Sequence, residues 1–274
     1  MKTFAARRIR NLGMVGVAAL LLVWFNGVMT TALRDTARAS GWGLFAMICF
    51  LAAYNLRKKL PFLPLGASAK WLQLHIYIGL FSALVFGIHI GWRVPSGLVE
   101  AILATLYLFV FVSGVMGLFL SRSLAKRLTT RGDEVLFERL PVYRRRLQAE
   151  VETIVFTDLE ESKSTAIAQF YADRLRPFFA YNRNFCQHLV QSNRARFGLL
   201  KEMQAYCRYL NNVEREMMTR LVTHVEAKDD LDYQYSLQAT LKYWLFVHVP
   251  LTYALLVFAL VHLLLVSAFS GGIS

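Results

Sequence analysis

The stretch Leu241–Leu265 reads LKYWLFVHVPLTYALLVFALVHLLL. It is apolar enough and long enough to cross a bilayer, yet it carries two histidines, His248 and His262, 14 residues apart. An imidazole in hydrocarbon is costly and is retained where it serves a function. The same spacing recurs in WLQLHIYIGLFSALVFGIHIGW (Trp71–Trp92), where His75 and His89 are again 14 residues apart. That separation is nearly four helical turns, so both rings of a pair emerge from nearly one face, roughly 21 Å apart along the axis. Two such helices side by side would clamp two haems, one above the other, each iron held by an imidazole from either side.

Working outward, three further apolar runs are candidate spans: Leu12–Leu33, Gly41–Asn55 and Leu98–Leu120. With 56% hydrophobic residues in a chain of 274, this pattern predicts an all-α integral membrane bundle of about five spans. The expected domains are 1–123 (spans one to four), 124–240 (a polar helical insertion) and 241–274 (the fifth span, completing the bundle). The first run, of about 22 residues, exceeds the usual 7–15 of a signal-peptide core, so it is read as a retained helix although Ala37-Arg38-Ala39 resembles a cleavage site.

The formal charge of +13 does not imply nucleic acid. Segment 124–240 holds 18 Lys/Arg against 16 Asp/Glu, so the excess lies beside the spans, where basic residues set topology. Lys2, Arg7, Arg8 and Arg10 precede the first span. Arg57, Lys58, Lys59 and Lys70 lie between the second and third, and Arg122, Lys126, Arg127 and Arg131 follow the fourth. The other loops hold Arg34, Asp35 and Arg38, and Arg93 alone. A plasma (inner) membrane protein with a cytoplasmic amino terminus and a cytoplasmic 124–240 domain follows. The third and fifth spans then run parallel, pairing His75 with His248 towards the inside and His89 with His262 towards the outside. Antiparallel spans would instead pair His75 with His262.

The three cysteines, Cys49, Cys186 and Cys207, form no CxxCH and no cluster, so the expected cofactors are two non-covalent haem b groups. Neither GxGxxG nor GxxxxGK[ST] occurs, so no nucleotide domain of the usual motif type is expected. Within the insertion, Leu199, Met203, Tyr206, Leu210, Val213 and Met217 step by four and three, the seam of a helical hairpin or coiled coil, with His224 on its continuation. Pro141 and Pro177 read as helix breaks. Cys186, His188, Cys207 and His224 match no common zinc spacing.

Secondary candidates cluster around the histidines. Gly79, Gly87 and Gly114 offer clearance for a macrocycle, as do Gly13, Gly27 and Gly117; close helix packing through small residues is the alternative. Arg93, four residues past His89, is the expected partner of haem propionates, with Lys70 and Lys242 as weaker ones. Pro250 is expected to kink the fifth span. Glu100 suits either a quinol proton acceptor or a favourable charge at a helix start. Trp42, Trp71, Trp92 and Trp244 suit interfacial belts.

The motifs His75-x13-His89 and His248-x13-His262, with SGVMGLFLSR (Ser113–Arg122) and Leu241–Leu265, resemble di-haem b-type membrane cytochromes. That group comprises respiratory cytochrome b subunits and ferric-reductase-like transmembrane proteins. The resemblance covers the four carboxyl-terminal spans, and the 124–240 insertion departs from simpler members. It implies that His75, His89, His248 and His262 are axial iron ligands. It also implies that electrons cross the bilayer between a quinone pool or redox partner protein, such as subunits of a larger complex, and an acceptor. Two other readings compete: a terminal ferric or small-molecule reductase using the outer haem directly, and a haem-free membrane scaffold.

Overall fold

The computed structural model describes residues 2–31, 36–59, 66–129, 135–162 and 165–270. Leu33, Arg34, Asp35 and Arg131 lie outside them, as do the side chains of Lys2, Arg7, Arg8, Leu12, Arg57, Lys58 and Lys59. Among the described residues the fold is all-α, without a strand. Five helices are long and apolar enough to cross a membrane: α1 (Lys2–Thr31), α2 (Thr36–Lys59), α3 (Ser68–His89), α4 (Leu98–Leu128) and, much the longest, the last helix, Asn212–Ser270. Between them come α5 (Leu140–Ser162), α6 (Ala166–Phe170), a π turn at Tyr171–Leu175, α7 (Arg176–Ala180), α8 (Phe185–Leu189) and α9 (Arg194–Tyr206). A 3₁₀ turn at Cys207–Tyr209 precedes the last helix, hereafter α10.

The chain divides into two compact units, residues 1–118 with 244–274 and residues 119–243. The expected boundaries at 123 and 241 therefore shift by a few residues. The cause is local to the second unit, where Leu120, Leu124 and Leu128 pack with Tyr233, Leu237 and Leu241 and draw the polar ends of α4 and α10 into it.

In the first unit α3 packs chiefly on α2, and Leu44, Ile48, Val85, Tyr107 and Leu255 form a buried centre. Its outer surface is apolar. Leu20, Trp24, Phe109, Met116, Phe246 and Leu264 are all exposed, the opposite of a water-facing bundle and the pattern of helices facing lipid. α3 stops at His89, short of the expected Trp92. Gly91 and Trp92 both take positive φ (60° and 56°), and the Trp92 N–H donates to the Gly87 carbonyl at 3.0 Å, closing the helix with a left-handed turn.

The second unit is organised around Val151, Val155, Phe179, Met203, Met218 and Leu221. The expected seam is divided between two helices, α9 and α10, rather than carried by one. Leu199, Met203, Tyr206, Leu210 and Met217 do reach the core, but Val213 is exposed and the helix breaks at Leu210. The reason is a capping box. Asn211 Oδ1 accepts from the Glu214 N–H (2.9 Å) while Glu214 Oε2 accepts from the Asn211 N–H (2.8 Å), so a new helix starts there. Pro141 sits in the first turn of α5, as a break requires. Pro177 does not break the chain's helical run. It lacks the N–H that would pair with the carbonyl four residues back, and the π turn Tyr171–Leu175 absorbs the mismatch.

The second unit also buries charge. Lys228, wholly inaccessible, donates to the Tyr181 carbonyl (2.6 Å) and pairs with Asp232 one turn along α10. Asp232 in turn accepts from the Arg183 N–H at 3.2 Å. Burial pushes the Asp232 carboxyl up to about 6 and pushes the Lys228 ammonium down, while their mutual attraction works against both shifts.

Candidate functional site

All four intramembrane histidines lie in the first unit, where they line two cavities. His75 and His248 line one; His89 and His262 line the other. This pairing requires α3 and the final part of α10 to run in the same direction.

The His89–His262 cavity is the more open. His89 is the last residue of α3, and its ring centroid lies 6.4 Å from that of His262, with the ring planes at 84°. Metal–imidazole bonds of about 2.0–2.1 Å on either side of one ion, plus the distance from each nitrogen to its ring centre, give a separation of about 6 Å. His89 Nδ1 lies 3.0 Å from the Ala37 carbonyl oxygen. With the Nδ1 proton donated there, Nε2 carries the lone pair, the arrangement that orients a ligating imidazole. A Cβ at Gly41 would stand 2.8 Å from His89 Cε1, so α2 must present glycine where this ring passes. The cavity measures about 830 Å³, within the roughly 300–1,000 Å³ of small-molecule sites. Arg38, Arg93 and Glu100 line it, bringing two cations and a carboxylate to the histidine pair.

The His75–His248 cavity is tighter, at about 100 Å³. It has the right walls for a flat apolar group, with Gly79 on α3 and Gly114 on α4 both lining it, but its side chains must part to admit a macrocycle. His75 packs against the Tyr54 ring (5.0 Å, 42°). His248 is held from two sides. Its Nδ1 lies 3.2 Å from Ser113 Oγ, and its ring stacks on Trp244 one turn earlier (5.2 Å, 23°). Trp244 Nε1 donates to the Ser113 carbonyl at 2.9 Å, and its indole occupies the place a Cβ on Gly117 would take. The helix continues through Pro250, and the Thr252 hydroxyl donates to the His248 carbonyl at 2.8 Å.

The His89–His262 pair therefore has both the spacing and the room for a bis-imidazole group, whereas His75 and His248 share a cavity that must widen to take one. The other candidates divide. Gly79, Gly114 and Arg93 line the cavities. Gly87 does not: a Cβ there would meet the Trp92 ring at 2.7 Å, so its missing side chain makes room for the turn that ends α3. Around Gly13 and Gly27 a Cβ would meet open space. Lys242 lies instead over the Phe137 ring (4.3 Å) and 3.6 Å from Glu138. Trp244 supports His248 rather than serving only a belt. In the second unit His188 faces Asp229 (3.6 Å) and His224 faces Glu150 (3.6 Å).

Sequence reasoning missed Gly41, the Ala37 carbonyl, Tyr54, Ser113 and Tyr107. Ser113 and Trp244 had a signal: Trp244 stands four residues before His248, on the same helical face. Gly41 had none, because its meaning depends on which helix crosses it. The chain matches no family model, no curated protein and no solved structure.

Proposed function

We propose that this chain is a membrane-embedded di-haem b-type cytochrome that carries electrons across a bilayer. The observation that carries this reading is the meeting of His89 and His262 at 6.4 Å, with His75 and His248 sharing a second cavity along the same helices. In it, His75 and His248 hold the haem nearer the cytoplasm and His89 and His262 the outer one. Bound haem supplies one-electron chemistry. The protein supplies neutral imidazoles, a low dielectric and a fixed separation, and Arg38 and Arg93 neutralise propionates at the outer site. The basic loops support a plasma-membrane orientation with residues 124–240 in the cytoplasm. Donor and acceptor are a quinone pool and a redox partner protein or the subunits of a larger complex.

Pyridine haemochrome analysis of the purified chain is expected to give two haem b per chain and a reduced α-band of b type; absence of haem leaves only the scaffold reading. The clearance glycines provide a finer check. Gly41→Ala crowds His89 and Gly117→Ala crowds Trp244 beneath His248, so each is expected to lose about one haem, from opposite sites. Loss from the same site in both variants would contradict the pairing. The greater room at His89–His262 supports a second reading, in which a small oxidant is reduced there directly. Rapid reoxidation of the quinol-reduced protein by soluble ferric chelate, with no partner present, distinguishes it from a conduit.

A further inference from the structure

The two cavities share three lining residues: Ile48, Leu255 and Tyr107. Tyr107 is the only aromatic one. It is nearly inaccessible, and its hydroxyl lies 2.9 Å from Ser82 Oγ, so its polar end is satisfied. On one side its ring stacks on Phe86 at 4.1 Å and 18°; it also stacks on Phe111 at 6.3 Å and 10°. Phe86 lines only the His89–His262 cavity, and Phe111 only the His75–His248 cavity. Three nearly parallel rings thus lead from one cavity to the other. The Tyr107–Phe111 alignment follows from their i,i+4 positions on α4, whereas the near-parallel seating of Phe86 against Tyr107 is set between helices, where edge-to-face contact is equally favourable.

We propose that the Phe86–Tyr107–Phe111 stack is the path by which an electron passes between the two metal sites. The inference rests on the di-haem reading. One electron leaves a ferrous iron, which becomes ferric, and reduces the ferric iron at the other site. No bond forms or breaks, and no proton moves. The Tyr107 ring stays reduced and keeps its hydroxyl proton on the hydrogen bond with Ser82; it serves as a continuous π medium where aliphatic side chains would leave through-space gaps. Stacking, rather than the hydroxyl, is therefore the working property.

The test uses the full chain, haem-loaded and reconstituted in lipid, with haem content and both midpoint potentials measured before the kinetics. Tyr107→Leu is expected to keep two haems and both potentials but to slow interhaem electron transfer after photoreduction about tenfold, because the lost ring leaves a gap in the packed path. Tyr107→Phe restores the ring without the hydroxyl and is expected to recover the rate. A Tyr107→Leu rate within twofold of native overturns the proposal, and so does a Tyr107→Phe rate as slow as that of Tyr107→Leu. If Tyr107→Leu loses haem, Phe86→Leu and Phe111→Leu take its place, each interrupting the stack at one end; native rates in both overturn the path. A native chain without haem fails at the first measurement and refutes the underlying cytochrome reading. Two haems with unaltered kinetics refute the path alone.

Discussion

Replacing His248 with alanine is expected to leave one haem per chain in place of two, with the remaining haem still bound through His89 and His262. The methyl of alanine cannot ligate iron, and the cavity it faces is the tighter of the two, lined almost entirely by apolar side chains and glycine. Besides His75, the polar groups lining that cavity are Ser82, Tyr107 and Thr252, and the one of these able to ligate iron, the Tyr107 hydroxyl, is engaged with Ser82 Oγ at 2.9 Å. His262→Ala is expected to do the reverse, emptying the more open site. The haems left behind in the two variants must then differ in midpoint potential and low-spin spectrum, because one retains Arg38, Arg93 and Glu100 as neighbours and the other does not. His224→Ala, in the second unit, is the control, with native haem content expected. Should His248→Ala and His262→Ala leave the same haem, the depth assignment fails. Should both retain two, the histidines are not ligands at all.

The second large effect concerns the polar domain. Lys228→Met is expected to destabilise residues 119–243 by about 3–5 kcal/mol, because it strands a buried carboxylate that keeps the Arg183 N–H as a donor but loses its counter-charge. Hydrogen exchange reads this directly. Amides around Val225, Leu237 and Phe179 should lose protection by roughly 10²- to 10³-fold, at 1.4 kcal/mol per tenfold. Lys228→Met with Asp232→Leu should recover most of the protection, since a buried ion pair adds little over apolar residues of similar volume. If the single variant exchanges like native, the pair is not the buried contact described. Haem content should be insensitive to both variants, as His75, His89, His248 and His262 all lie in the other unit.

How much of this was legible in the chain can be judged residue by residue. The fold class was readable from apolar run length, since a helix that must satisfy its own backbone in hydrocarbon leaves a long and unmistakable record. The 14-residue spacing placed His75 with His89, and His248 with His262, on common helical faces. The alternation of basic loops predicts the pairs His75 with His248 and His89 with His262, and each of these pairs lines one cavity. The capping box Asn211-x-x-Glu214 was also present in the sequence, but the heptad steps of Leu199 to Met217 masked it. A run of apolar residues in steps of three and four reads the same whether one helix carries it or two.

Gly87 shows the other kind of failure. A glycine two residues from a candidate ligand invites a clearance argument, yet the space is taken by Trp92, folded back by a left-handed turn. Gly41, with no histidine near it in sequence, is the residue that His89 touches. Local order along the chain, set by helical period and the cost of burying polar groups, determined the elements, their direction and the four imidazoles. Only the tertiary structure decided which glycine faces which ring, that Ala37 and Ser113 orient the imidazoles, and that Phe86, Tyr107 and Phe111 line up between the cavities. Tyr107 and Phe111 aside, those contacts join residues 21 to 135 positions apart. Their identity depends on how helices rotate and seat against one another, for which the sequence carries no one-dimensional period.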